Sequence, residues 1–149
     1  MKRHILLSLT LLAGLSSLLS AQSLKVNDLE YFEDRGINVL VYSNLYNGMF
    51  CDEKTAAIEI IQRGDRIATG GGIRLMNTPE QWDIYPVMES RTVDRKDNSI
   101  EVVLYYKEYD FRSKIKVTGK DKGATMAVYL DKPVPEELAG KAGMNMEFF

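Results

Sequence analysis

Side chains that commonly act as nucleophiles, bases or metal ligands are scarce in this sequence. Its 149 residues include one histidine, His4, and one cysteine, Cys51. His4 lies in an amino-terminal leader that we expect to be removed, which leaves one thiol and no imidazole. A zinc site needs several His or Cys ligands, and an activated cysteine needs a neighbouring base or cation. The sequence therefore predicts no catalytic residue, no metal site and no cofactor.

Two pairs of adjacent acidic residues offer the remaining candidate chemistry, because two carboxyl groups about 5 to 9.5 Å apart can hydrolyse a glycosidic bond. Asp52 and Glu53 are neighbours, and neighbouring side chains on a strand point to opposite faces. Glu136 and Glu137 follow Pro135, which is typical of the first turn of a short helix, where acids face the positive end of the dipole. Both pairs predict turn or surface roles.

Aromatic residues leave one functional question open. Sugar rings stack on exposed aromatic faces, so surface aromatics can form a binding platform. In the alternative interpretation the same rings fill the core or cover a docking surface for another domain. Trp82, in a loop with Pro and Asp neighbours, and Tyr85 and Tyr46 are the candidate contacts for either a glycan or a docked domain. The aromatic residues considered are Tyr42, Tyr46, Phe50, Trp82, Tyr85, Tyr105, Tyr106 and Tyr109.

The amino-terminal residues have the organisation of a secretory signal peptide. Two basic residues precede an apolar stretch, residues 5–19, and small residues follow it. Cleavage after Ser23 gives a small-x-small pattern, whereas cleavage after Ala21 leaves the bulky Leu19 three positions back. Both sites stay open, and we assign 1–21 to the signal peptide and 22–149 to the mature domain. A membrane anchor is the alternative, but the apolar stretch is shorter than the roughly 20 residues that span a bilayer. We expect no membrane span and export to the periplasm or the extracellular space.

The composition describes one acidic domain. The whole chain has 19 basic and 21 acidic residues, and removal of the leader takes away Lys2 and Arg3. An acidic chain with interspersed charges argues against a phosphate backbone as partner, so we expect no nucleic acid. A chain of this length buries enough surface to fold without a disulfide.

Apolar residues recur with a period of two along most of the mature chain, which predicts β-strands. Residues 110–117 alternate strictly, with Phe111, Ser113, Ile115 and Val117 on one face. Glycines at 70–72 permit a sharp bend or bulge between strands. Seven or eight short strands with regular turn signals predict an all-β fold, an antiparallel β-sandwich of immunoglobulin-like topology. Residues 144–149 also alternate and end in two phenylalanines, from which we expect the chain to be the front part of a longer one.

The segment from Tyr31 to Glu147 resembles a known family. Residues 35–50 (RGINVLVYSNLYNGMF), 52–59 (DEKTAAIE), 78–83 (TPEQWD) and 130–143 (LDKPVPEELAGKAG) are similar to the amino-terminal region of secreted glycoside hydrolases of family 9 from Bacteroidetes. These motifs cover most of the mature chain and are not catalytic signatures.

The resemblance implies an immunoglobulin-like domain placed before a helical barrel that cleaves β-1,4-linked glucans with inversion. The barrel carries the family's catalytic carboxylates, and its Asp-Ala-Gly-Asp stretch has no counterpart here. The implied role is a non-catalytic accessory domain of a cellulase-type enzyme in polysaccharide degradation, with the catalytic barrel as partner. The alternative is a free-standing exported β-sandwich that binds carbohydrate or protein through surface aromatics.

Overall fold

The computed structural model of the chain describes residues 23–48, 51–75, 86–121 and 123–149. Within these ranges the chain forms ten strands and two short 3₁₀ turns, Lys107–Tyr109 and Glu136–Leu138. The strands are β1 (Lys25–Val26), β2 (Phe32–Asp34), β3 (Ile37–Gly48), β4 (Cys51–Gln62), β5 (Asp65–Leu75), β6 (Val87–Asp94), β7 (Ser99–Tyr106), β8 (Phe111–Lys120), β9 (Gly123–Leu130) and β10 (Ala142–Phe148).

The strands form two antiparallel sheets that pack together, which confirms the predicted all-β sandwich. The six-stranded sheet has the order β1-β2-β3-β4-β5-β10, and the four-stranded sheet has the order β6-β7-β8-β9. Neighbouring strands are therefore consecutive in the chain, except where β10 returns to pair with β5. Immunoglobulin domains instead distribute consecutive strands between both sheets. Strand count and spacing predict the two layers, but they do not determine this order.

The core lies between the two sheets. On β7 the side chains of Ile100, Val102, Leu104 and Tyr106 are buried, and they alternate with half-exposed neighbours. The predicted alternation on β8 is confirmed, because its four inward positions are buried and Arg112, Lys114 and Lys116 are half-exposed. Burial of each large apolar side chain contributes about 1.5–3 kcal/mol. The six-stranded sheet supplies the opposing residues Phe32, Val39, Val41 and Ile58.

The glycines at 70–72 form a bulge, as the sequence predicts, within the continuous strand β5. Gly70 has a φ of +122°, and a Cβ there would lie 2.6 Å from the carbonyl oxygen of Asn145. The register between β5 and β10 shifts between Asn145 and Met146. A residue without a side chain therefore allows β10 to approach β5 closely at this point.

A second bulge lies in β3, where the register with β4 shifts between Val41 and Asn44. Tyr42 adopts a positive φ of 48° at this bulge. The Val41 carbonyl accepts a hydrogen bond of 2.8 Å from Nε of Arg91 on β6. A residue of the four-stranded sheet thus satisfies a backbone group of the six-stranded sheet where the bulge interrupts strand pairing.

One end of the sandwich carries the 3₁₀ turn Lys107–Tyr109, and we call it the Lys107 end. There the Tyr106 hydroxyl donates a hydrogen bond of 3.0 Å to the Ile73 carbonyl, which joins β7 to β5. β5 ends and β6 begins at the same end, since Val87 pairs with Tyr105 next to Tyr106. The short helical turn that the sequence predicts after Pro135 is present, and its Leu138 is fully buried.

Candidate functional site

The side chains of the three predicted contact residues lie outside the part of the chain that the structure describes. Trp82 and Tyr85 lie outside the described residues, between β5 and β6. Tyr46 lies on β3 and pairs with Lys54 near the end of the β3–β4 hairpin, but its side chain is not among those described. Cys51 and the Asp52–Glu53 pair lie on β4, and their side chains also fall outside the description.

The described tyrosines of β3, β7 and β9 lie either in the core or on the outer face of the four-stranded sheet. Tyr42 and Tyr106 are buried, and the Tyr106 ring lies 6.1 Å from the Phe111 ring at an angle of 45°. These two tyrosines fill the core, as the core interpretation predicts. Tyr105 lies on the outer face, and so does Tyr129, which the aromatic candidates omit and which is 50% exposed. The alternation of residues 124–130 is the sequence signal that identifies Tyr129.

A cluster of paired charges surrounds Tyr105 near the Lys107 end, and we call it the Tyr105 cluster. The guanidinium of Arg112 lies 4.0 Å from the centroid of the Tyr105 ring, and it donates two hydrogen bonds of 2.9 Å to the Glu89 carboxylate. The Tyr105 hydroxyl donates a hydrogen bond of 3.1 Å to Asp110. Lys132 Nζ lies 3.4 Å from the same carboxylate. The register of β6, β7 and β8 brings Glu89, Tyr105 and Arg112 together, since Tyr105 pairs with Arg112 on one side and with Val87 on the other. Asp110 directly precedes β8, and Lys132 follows β9.

The pKa shifts within the Tyr105 cluster favour charged carboxylates, a neutral Tyr105 phenol and a charged Arg112 guanidinium. The hydrogen bond from Tyr105 is the main cause that lowers the pKa of Asp110, and the same bond raises the pKa of the Tyr105 phenol. The hydrogen bonds from Arg112 lower the pKa of Glu89. A general acid or base needs a pKa near neutrality, and these shifts move each group away from it. The cluster is therefore a set of paired surface charges.

Two further lysines on the outer face of the four-stranded sheet are also paired with carboxylates. Lys114 lies 3.3 Å from Glu101 and 5.1 Å from the Tyr129 ring centroid. Lys116 lies 2.6 Å from Asp97, which lowers the pKa of that carboxyl mainly through the hydrogen bond. Each lysine has a carboxylate partner, so the face carries no unpaired positive charge among these residues. It is poorly suited to hold an anion.

Apolar side chains are exposed along β10, at the edge of the six-stranded sheet. We call Met144, Phe148 and Phe149 the β10 surface, and their exposures are 39%, 75% and 73%. The Arg66 guanidinium lies 5.6 Å from the Phe149 ring. Phe148 pairs with Ala68, and the neighbouring Phe149 points to the opposite face, so the two rings flank the sheet edge on either side. Exposed apolar residues at an edge commonly mark a site of contact with another protein or domain.

Other kinds of site are not found in the part of the chain that the structure describes. No group of three or more His, Cys, Asp or Glu residues in these ranges is placed to hold a metal ion. None of the described helices is long and apolar enough to cross a bilayer. A shallow, open depression is lined by Pro135, Glu136 and Glu137, and its two exposed acids make it a poor apolar pocket.

Comparisons of the chain with protein-family models, with curated proteins and with solved structures find no match.

Proposed function

We propose that this chain is a non-catalytic accessory domain of a secreted glycoside hydrolase of family 9, and that it braces a catalytic barrel acting on β-glucans. The proposal originates in the resemblance of residues 31–147 to that family's amino-terminal region. A β-sandwich of this size is compatible with such a role. Export through the predicted signal peptide would bring the domain to the periplasm or the extracellular space, where polysaccharides are degraded.

The observation that supports the proposal best is the β10 surface. Phe148 and Phe149 place two nearly uncovered rings on the edge of the larger sheet. Exposed phenylalanine is unfavourable in water, and burial of such a side chain contributes about 1.5–3 kcal/mol. A second domain packed on this edge would recover that free energy. Interfaces between domains of one chain are commonly of moderate size, about 600–1,500 Å².

The character of the described charged groups also supports a structural role. The carboxylates of the Tyr105 cluster have lowered pKa values and charged partners. Hydrolysis of a glycosidic bond needs one carboxyl group with a raised pKa. The described carboxyl groups whose pKa is shifted do not have this property.

The test is a titration of the mature chain with a family 9 catalytic barrel expressed without its own immunoglobulin-like domain. We expect the barrel's melting temperature to rise on addition of the chain, and we expect the chain alone to release no sugar from carboxymethyl cellulose or xyloglucan. The double variant Phe148→Ser/Phe149→Ser should lose the stabilising effect. Leu29→Ser is the matched control, since Leu29 is 74% exposed but lies in the turn before β2. Hydrolysis by the chain alone, or equal loss in both variants, would contradict the proposal.

A second candidate function is glycan binding through surface aromatics, and the half-exposed ring of Tyr129 favours it. One face of this ring is within reach of Lys114, which leaves the opposite face for a sugar. Retention of the chain by cellulose or xyloglucan in affinity electrophoresis tests this function. We expect Tyr129→Ala and Trp82→Ala to reduce retention if glycan binding is the function. Unchanged mobility of the parent chain in both polysaccharides excludes it.

A further inference from the structure

The four-stranded sheet has one edge strand, β9, that lacks the usual protection against pairing with another chain. Natural edges are protected by charges, proline, bulges or short length. β9 has eight residues, none of them charged or proline. It pairs with β8 without any shift of register, and among the described residues it has no other strand partner.

The other three edges do carry such protection. β1 has only two residues. β6 has a register shift between Met88 and Ser90 and carries Glu89 and Arg91. β10 has a register shift and carries Glu147. This difference between β9 and the other three described edges indicates that β9 pairs with a strand of another chain.

The register determines which backbone groups of β9 face outward. Lys120 pairs with Gly123 across a two-residue connection, so these two residues exchange both hydrogen bonds. Hydrogen-bonded and non-hydrogen-bonded pairs then alternate along the hairpin. Thr125, Ala127 and Tyr129 therefore bond to β8. The N–H and C=O groups directed at the free edge belong to Ala124, Met126, Val128 and Leu130.

We propose that β9 is a homodimer interface, at which two copies of this chain pair their β9 strands antiparallel about a two-fold axis at Ala127. Ala124 then lies opposite Leu130 of the second copy, and Met126 lies opposite Val128. These four positions present outward-facing backbone groups, so the pairing forms about eight hydrogen bonds. The two four-stranded sheets become one continuous eight-stranded sheet.

The side chains of β9 are complementary to themselves in this register. The axis passes through a non-hydrogen-bonded pair, where the two Cα atoms are only about 4.5 Å apart, and the small Ala127 suits that distance. Thr125 lies opposite Tyr129 on the outer face, and Ala124 lies opposite Leu130 on the inner face, so a small residue meets a large one in each case. Side chains on the inner face of one copy lie opposite inner-face side chains of the other, because the residue numbers of each pair differ by an even number. No charge lies within the paired segment, so the symmetry brings no like charges together.

Sedimentation equilibrium of the mature chain tests the dimer. We expect a concentration-dependent dimer for the parent chain, and we expect Ala127→Glu to raise the dissociation constant by at least about tenfold, because it places two carboxylates together at the axis. In a monomer the new carboxylate faces Lys116, so the fold is retained. Ser90→Glu on the opposite edge of the same sheet is the matched control and should leave the dimer unchanged. A parent chain that stays monomeric at all concentrations overturns the proposal.

Cross-linking tests the register. Under mild oxidation Ala127→Cys should form a covalent dimer much faster than Thr125→Cys, since only position 127 faces its own counterpart across the axis, within the Cα separation that a disulfide allows. The parent chain with its native Cys51 gives the baseline. Equal rates at positions 125 and 127, or no reaction above that baseline, would show that β9 does not pair in this way.

Discussion

The side-chain amide of Asn98 donates a hydrogen bond of 2.8 Å to the carbonyl oxygen of Leu24. The same amide nitrogen donates to the Gly119 carbonyl at 3.0 Å, and the amide oxygen accepts from the Val26 N–H at 2.9 Å. Asn98 lies in the turn between β6 and β7, whereas Leu24 and Val26 belong to the segment that forms β1. One carboxamide thus ties a hairpin of the four-stranded sheet to the edge of the six-stranded sheet.

Replacement of Asn98 by alanine should lower the free energy of unfolding by roughly 2–4 kcal/mol. Three backbone groups lose their partner, and a residue with a φ of +51° is replaced by one that rarely adopts that conformation. Asn98→Gly separates the two causes, since glycine accepts the positive φ but supplies no amide. We expect glycine to be less destabilising than alanine by about 1 kcal/mol in urea unfolding. Equal stability of all three proteins would show that the carboxamide does not join the sheets.

Gly119→Ala should destabilise the domain by about 1–3 kcal/mol. A Cβ at this position would lie 2.3 Å from the Leu24 carbonyl oxygen and 2.5 Å from the Asn98 amide nitrogen. Both atoms are held by the hydrogen bonds described above, so neither can move freely. Gly143→Ala is the matched control, because a Cβ there meets nothing within 4 Å. Its melting temperature should stay near that of the parent chain, whereas Gly119→Ala should melt several degrees lower.

Arg91→Lys should cost about 1–2 kcal/mol although it keeps the charge. Arg91 donates to the Val41 carbonyl through Nε and to the Glu30 carbonyl and carboxylate through its terminal nitrogens. A lysine cannot reproduce this fork, and the Val41 carbonyl at the β3 bulge then loses its donor. Glu30→Gln removes only the half-exposed ion pair and should cost less than about 1 kcal/mol. A larger loss for Glu30→Gln in denaturant titrations would show that the ion pair, and not the bulge contact, is important.

The ion pair between Asp97 and Lys116 predicts that the domain loses stability in acid. The hydrogen bond from Lys116, with a second from Ser99, lowers the pKa of Asp97. A lowered pKa in the folded state stabilises the fold above the ordinary Asp pKa of about 3.9, and this contribution is lost as the pH falls through the lowered value. Asp97→Asn should therefore be less stable at pH 7 and should depend less on pH below 5. Lys116→Gln should flatten the same pH profile, and an unchanged slope in both variants would contradict the assignment.

Ser113→Ala should leave stability unchanged or raise it slightly, by about 0.5–1 kcal/mol. Ser113 Oγ is buried on the inner face of β8 and has no hydrogen-bond partner among the described residues. Ser99→Ala is the comparison, because the buried Ser99 hydroxyl donates a hydrogen bond of 3.1 Å to Asp97. We expect Ser99→Ala to lower the free energy of unfolding. A clear loss in Ser113→Ala as well would indicate that its hydroxyl has a partner in solution.

The sequence predicts most of the fold because a strand with one buried face records that face in its alternation. Residues 110–117 show this directly, and the glycines at 70–72 indicate a bulge that β5 does contain. The short strands β1 and β2 escape prediction because two or three residues cannot show a period. The return of β10 to β5 also escapes, since pairing over a long separation in sequence leaves no local pattern.

The candidate surfaces depend on information that a single sequence does not carry. Tyr105 and Tyr106 are adjacent and chemically identical. The alternation of the strand predicts that they lie on opposite faces, but it does not predict which of the two is buried. Only the packing of the two sheets assigns Tyr106 to the core and Tyr105 to the outer face. The contacts of Arg112 with Glu89 and Tyr105 likewise depend on strand register. The sequence by itself determined the longer strands and the apolar inner face of β8, because local periodicity encodes them. The tertiary structure decided which aromatics and charges share a surface, because that follows from the register and packing of strands distant in the chain.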